Sequence, residues 1–289
     1  MPSEQTLPLQ HLLNYRRKTY RFTERLRIHT INQAVSYADE RGFLFFWPNK
    51  GLELPSLWGA VAGDRPVPNE HDDPAHVTWS WKDALLGKKR WYYGRILHHR
   101  NTIISLDLLP SFYALSPNYG TPEEDYLLEY EQGKLTQEEK AVYETLLDQG
   151  PLNTLALRKA AHLSSSQNTS RFNRALDKLQ RDFRILPVGT AEAGAWHYAY
   201  VFDVVHRIFP EVIEQAYPIK KSQAYQNILE SYYLSVGAAQ TRDMQKILRW
   251  PKLDLSRALE RLQEASLIQS GCSIEDRSGD WFALKELFS

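Results

Sequence analysis

Cysteine is almost missing from this chain: among 289 residues there is one, Cys272. An internal disulfide is therefore excluded, and no Cys/His framework is available to hold a structural metal. A chain this long can bury its cores without such staples, and a reducing compartment is the simplest expectation. Also missing is any apolar run that approaches a membrane span. The amino terminus has no basic start followed by an apolar stretch and a small-residue cleavage site. These absences lead us to expect a soluble, cytoplasmic protein with no membrane partner, no metal and no cofactor. They fix no oligomeric state. No glycine-rich phosphate loop is present, and Thr78, Ser105 and Ser116 lack the context of a nucleophile elbow. The formal net charge is zero, which argues against a simple basic coat for nucleic acid.

What is present is a repeat. Arg174-Ala175-Leu176-Asp177-Lys178-Leu179-Gln180 returns as Arg257-Ala258-Leu259-Glu260-Arg261-Leu262-Gln263. The first copy is followed by Ile185-Leu186, a turn-rich stretch and Trp196-His197-Tyr198, and the second by Leu267-Ile268, another such stretch and Trp281-Phe282. Each is preceded by a helical segment and a turn at Gly150 or Gly237. Helix, turn, helix, basic helix, strand, turn, strand is the layout of a winged helix-turn-helix, and two in tandem put nucleic acid first among partners. The expected fold is predominantly α with small β-sheets: a helix-rich domain with strands over 1–135, which also reads as a divergent winged helix, then winged helices over 136–215 and 216–289.

Within the first domain the apolar spacing predicts a helix from about Leu7 to Lys18 and a second, capped by Thr30, that Gly42 stops. Phe43 to Trp47 reads as a buried strand and Leu54 to Ala62 as a short helix with Pro55 in its first turn. Pro66, Pro68 and Pro74 predict an irregular loop from Gly63 to Trp81, with Trp79 and Trp81 on an extended segment. A hairpin is expected around His98 to Asn101, and Pro117 to Glu131 reads as a polar connection. Further on, Thr136 with Glu139 forms a capping box, and Asn153 or Thr154 caps the next helix.

Two groups of residues carry candidate chemistry. Arg171, Arg174, Lys178 and Arg181 step by three, four and three positions, so a helix aligns them, with Asn173 alongside, next to the apolar stripe Phe172, Ala175, Leu176 and Leu179. A recognition helix needs such an apolar back and such cations for phosphates or base edges. Lysine and arginine are also ordinary on solvated helix faces. In the second copy Arg257 and Arg261 alternate with Glu260 and Glu264, which suits architecture or a protein contact. The other group is Glu70, His71, Asp72, Asp73 and His76. Carboxylates there could activate water, with Asp72, Asp73 and His71 as catalytic candidates. Adjacent carboxylates in a proline-rich loop also serve as turn-formers and helix caps.

Leu146 to Leu152 (Leu-Leu-Asp-Gln-Gly-Pro-Leu), the basic third helix with its hairpin, and the early helix, Gly42 and strand together resemble the AlkZ/YcaQ family of bacterial winged-helix DNA glycosylases. The resemblance implies three tandem winged helices and a small β-barrel forming a concave body on double-stranded DNA. It also implies removal of alkylated or crosslinked bases by hydrolysis of the glycosidic bond. The family's Gln-x-Gln or Gln-x-Asp would fall on the strand after Gly42, where this chain carries Phe45 and Trp47, which can neither orient nor deprotonate water. Either the active residues moved into the Glu70 to His76 loop, or this is a DNA-binding relative without that chemistry, the reading we favour. A protein-interaction scaffold is a third alternative.

Overall fold

A computed structural model describes residues 6–70, 72–118, 120–194 and 197–288. His71 and Trp196, both singled out in the sequence, lie outside the described residues. Helices dominate, and the strands form three small sheets.

One topology recurs three times. The second unit runs through helix Gln137–Gln149, strand Leu152–Asn153, helices Thr154–Ala160 and Thr169–Arg181, and strands Ile185–Ala191 and Ala199–Val204. The third runs through Lys221–Val236, Ala238–Ala239, Thr241–Leu248, Lys252–Glu264, Ile268–Ile274 and Arg277–Leu284. The same order is present early in the chain: helix Ile31–Arg41, strand Phe43–Phe45, helices Leu57–Ala62 and Val77–Leu85, strands Tyr92–Arg95 and Asn101–Ile104. In every unit the last strand lies between the first and the second. The chain start joins the end: Thr6–Leu7 pairs in parallel with Ser273 and Ile274. Arg16, on helix Leu9–Thr19, donates to the carbonyls of Val236 and Ala238, both at 2.9 Å. Residues 6–19 therefore pack on the third unit. All three sheets are open among the described residues, so the barrel implied by the resemblance is not formed there.

Several elements correct the sequence reading, each for a local reason. The short helix begins at Leu57, because the Ser56 side chain accepts the Gly59 N–H at 3.1 Å and leaves Pro55 outside. The proline-rich stretch turns helical at Pro74–His76 and continues as Val77–Leu85, so Trp79 and Trp81 sit on a helix, not an extended segment. The polar connection contains helix Pro122–Glu131, which has proline in its first turn and three acids there, both favourable at a helix start. The capping box of Thr136 and Glu139 and the cap by Asn153 form as expected.

The continuous apolar run after Gly42 is explained by burial on both faces. Phe43 and Phe45 enter the core shared with the third unit, whereas Leu44 and Phe46 enter a separate core of the first. Gly42 ends the preceding helix in left-handed backbone (φ 73), and a Cβ there would stand 2.9 Å from Leu108 Cδ2 and Ser231 Oγ.

Candidate nucleic-acid interface

Helix Thr169–Arg181 is the most strongly two-sided element near the candidate residues. Phe172, Ala175, Leu176 and Leu179 are buried in the second unit's core, fixing the helix's rotation. Arg171, Asn173 and Arg174 are consequently exposed. Arg171 lies 3.3 Å from Glu138 with most of its side chain in water, and Arg174 makes no ion pair among the described residues.

The other half of the row is engaged. Lys178 and Arg181 both hold Asp182, Arg181 at 3.5 Å. On the flank, Asp177 accepts from Arg95 at 2.7 Å, and Gln180 Oε1 accepts the Arg95 N–H at 3.2 Å. The helix thus presents exposed cations at its N-terminal end, Arg174 with no ion pair among the described residues, and packs its C-terminal end against the first unit's hairpin. Four residues that share a face by spacing are divided by what they meet. Asp182, four positions after Lys178, was a local signal of this division; Arg95, 82 positions from Asp177, was not.

The loop candidates separate as well. Asp73 accepts two hydrogen bonds from Arg65, at 2.7 and 2.8 Å, and one from the Ala75 N–H at 2.8 Å. Those bonds, Arg65 foremost, hold its carboxyl below the usual carboxylate range. It is a helix cap and an ion-pair partner, a poor base for water. Aspartate before proline is a cap signal that the sequence did display. Asp72 is exposed. The loop does reach the strand after Gly42: the His76 ring stands edge-on to Trp47 with centroids 6.0 Å apart. Trp47 is partly buried against Trp58 and Trp79, and Phe45 is fully buried. Phe45 thus walls the core, and the two positions supply no water-directed group.

One cluster escaped the sequence reading. Lys82, on the first unit's third helix, is 1% exposed. Its Nζ donates to the hydroxyls of Tyr198 and Tyr200 at 2.8 and 2.7 Å and lies 2.8 Å from Asp83 Oδ1. The rings of Trp79 and Tyr200 stand 4.4 and 4.7 Å away. Tyr198 also donates to Asp83 at 2.8 Å, and burial, then Tyr200 and Asp83, push its hydroxyl pKa well up. A buried ammonium survives only when its donors are filled and its charge is faced by acids or π-clouds; here both hold. The cluster ties the first unit's third helix to the second unit's hairpin. Trp79 and Lys82 at i and i+3, and Tyr198 and Tyr200 at i and i+2, were the available signals.

A family profile described as AlkZ related matches residues 28–249. The chain belongs to the AlkZ-related family. No curated protein matches it. Among solved structures, the DNA glycosylase AlkZ of Streptomyces sahachiroi is similar over 98% of this chain and 71% of its own, with a TM-score of 0.58 at 10% identity. At that identity the likeness is one of fold. It places the AlkZ-related chain in the mainly helical architecture with small sheets expected from the sequence. No helix among the described residues is long and apolar enough to cross a membrane.

Proposed function

We propose that this AlkZ-related protein binds double-stranded DNA through three tandem winged helices, with helix Thr169–Arg181 as a principal contact, and that it does so without glycosylase chemistry at Phe45 and Trp47. The observation that carries the reading is the exposed group Arg171, Asn173 and Arg174 on a helix whose opposite side is locked in a core. Cations held in fixed orientation on a rigid element are what phosphate recognition requires. Lys178 and Arg181 contribute through the field they share with Asp182 rather than as free donors.

The test is the salt dependence of duplex binding. Arg171→Ala with Arg174→Ala should weaken binding and lower the magnitude of the log-log salt slope by about two, near one unit per lost phosphate contact. A folded double variant with unchanged affinity and slope removes this helix from the interface. Tight association with a protein partner that ignores salt, with no duplex binding, would favour the scaffold instead.

A second reading, excision of alkylated or crosslinked bases, draws on one observation: Asp72 is exposed beside the helix-capping Asp73. Hydrolysis of the glycosidic bond passes through an oxocarbenium-like state that a free carboxylate can stabilise. Abasic-site formation on alkylated and crosslinked duplexes that disappears in Asp72→Asn would support excision. Activity that survives the substitution removes this carboxylate from the chemistry.

A further inference from the structure

The three units meet at a cavity of about 220 Å³. The first contributes His98 and His99 from its hairpin turn, the second Arg181 from the end of its third helix, and the third Arg249, the residue after helix Thr241–Leu248. The other walls are mostly apolar, Phe183 and Trp250 among them, with Ser116 and the carboxylate of Asp182 as the polar exceptions. Arg249 Nη1 is 3.2 Å from His99 Nε2 and its Nη2 is 3.4 Å from His98 Nε2. A guanidinium only donates, so in these two contacts the imidazole nitrogens are the acceptors.

The charge around the cavity does not close. Asp177 is taken by Arg95, and Asp182 by Lys178 and Arg181. Arg249, itself exposed, makes no ion pair among the described residues and lies against the two imidazoles, with Arg181 on the wall of the same cavity. Burial first, then Arg181 and Arg249 with a small part from His98, hold His99 below the ordinary imidazole range, against the pull of Asp177. The backbone is left-handed at all three contacting residues, with φ of 49 at His98, 58 at His99 and 55 at Arg249. Side-chain-bearing residues rarely adopt that region, and such strain gathers at ligand clamps. Two loops of left-handed backbone from different units thus meet side chain to side chain, and the formal charge they bring, that of Arg249, is a cation with no acid paired to it among the described residues.

We propose that this junction binds a phosphate-class anion, gripped by Arg249 within the field of Arg181, with His98 and His99 completing the clamp. Its source is the phosphodiester backbone of DNA, and that assignment rests on the DNA-binding reading above; the clamp itself does not. An arriving anion favours the charged imidazole, so binding takes up a proton near neutral pH.

The experiment uses the full chain and two probes, inorganic pyrophosphate and a short DNA duplex. Titration calorimetry of pyrophosphate in two buffers of different ionisation enthalpy should show binding with proton uptake. Arg249→Gln should weaken it about tenfold or more, the loss expected for a charge-assisted hydrogen bond. Arg249→Lys, which keeps the charge and loses the fork, should fall between. Circular dichroism establishes that both variants are folded. Loss of both pyrophosphate and duplex affinity in Arg249→Gln supports the clamp and its DNA source. Loss of pyrophosphate binding with duplex affinity intact supports the clamp and makes its ligand a free phosphoryl compound. Wild-type protein that binds pyrophosphate and no duplex leaves the clamp standing and rejects the DNA reading. Absence of pyrophosphate binding to the wild type, or equal binding by folded Arg249→Gln, overturns the clamp.

Discussion

Helices Thr169–Arg181 and Lys252–Glu264 share a buried side almost residue for residue, yet their outer sides differ in kind. Leu176 and Leu179 correspond to Leu259 and Leu262, all buried. Along the basic row, Arg171, Arg174, Lys178 and Arg181 correspond to Asp254, Arg257, Arg261 and Glu264, so acids replace cations at both ends. Asp254 is used locally: it accepts from Tyr225 at 3.3 Å, and burial followed by that carboxylate pushes the Tyr225 hydroxyl pKa up to about 12. The equivalent helix of the first unit takes a third course, turning a cation inward as Lys82. A shared apolar stripe fixes where a helix sits. The remaining positions are free to bind outward, pair locally or pin two units together.

The largest effect should come from the shared side. Leu176→Ala and Leu259→Ala should each cost about 2 to 5 kcal/mol in denaturant unfolding. A cost near zero at either position would break the equivalence of the two helices. Next, Lys82→Met should cost about 3 kcal/mol, near the low end for breaking a buried pair, because Asp83 keeps access to water. Tyr198 adds a pH signature. Its folded pKa is raised, so its contribution is complete below about 10, the ordinary tyrosine value, and is lost as pH rises beyond that towards the folded value. Alkaline unfolding that is identical in Tyr198→Phe would place the pin elsewhere.

A smaller effect separates the outer sides. Arg171→Asp gives the second unit the residue type of the third and should weaken duplex binding by about tenfold at low salt, a reversal of one phosphate-facing charge. Arg257→Ala should leave binding within about twofold. If the two substitutions act alike, the difference in charge between the helices has no bearing on DNA.

The second and third units were legible because their apolar residues recur at helical spacing and their heptapeptides align. The first unit carries the same topology, but its third helix is short and spends a core position on Lys82. Its start is hidden behind Pro66, Pro68 and Pro74. A buried lysine reads as surface until Tyr198 and Tyr200, more than a hundred positions away, are brought to it. The junction of His98, His99, Arg181 and Arg249 was unreadable for the same reason. That Phe45 and Trp47 carry no carboxylate or amide was legible outright, since it is a matter of residue type.

The smallest expected effect lies at the entry to the first unit's third helix. Asp73 caps that entry and pairs with Arg65, and these bonds depress its pKa in the folded chain. A depressed folded pKa means that its contribution is present above the unfolded value, about 3.9, and is lost as pH falls through the folded one. The exposed Arg65 partner keeps the effect small. Asp73→Asn retains a side-chain oxygen for the Ala75 N–H while removing the charge, so it should lower stability slightly at neutral pH and converge with the wild type in acid. Stability of the two proteins would be followed by urea unfolding from pH 7 down to about 3, below the unfolded value. A constant difference across that range would mean that the Arg65 pair adds nothing beyond the cap. A large loss of duplex cleavage or base release in Asp73→Asn at neutral pH, with stability nearly unchanged, would instead return this carboxylate to the chemistry from which its hydrogen bonds withdraw it.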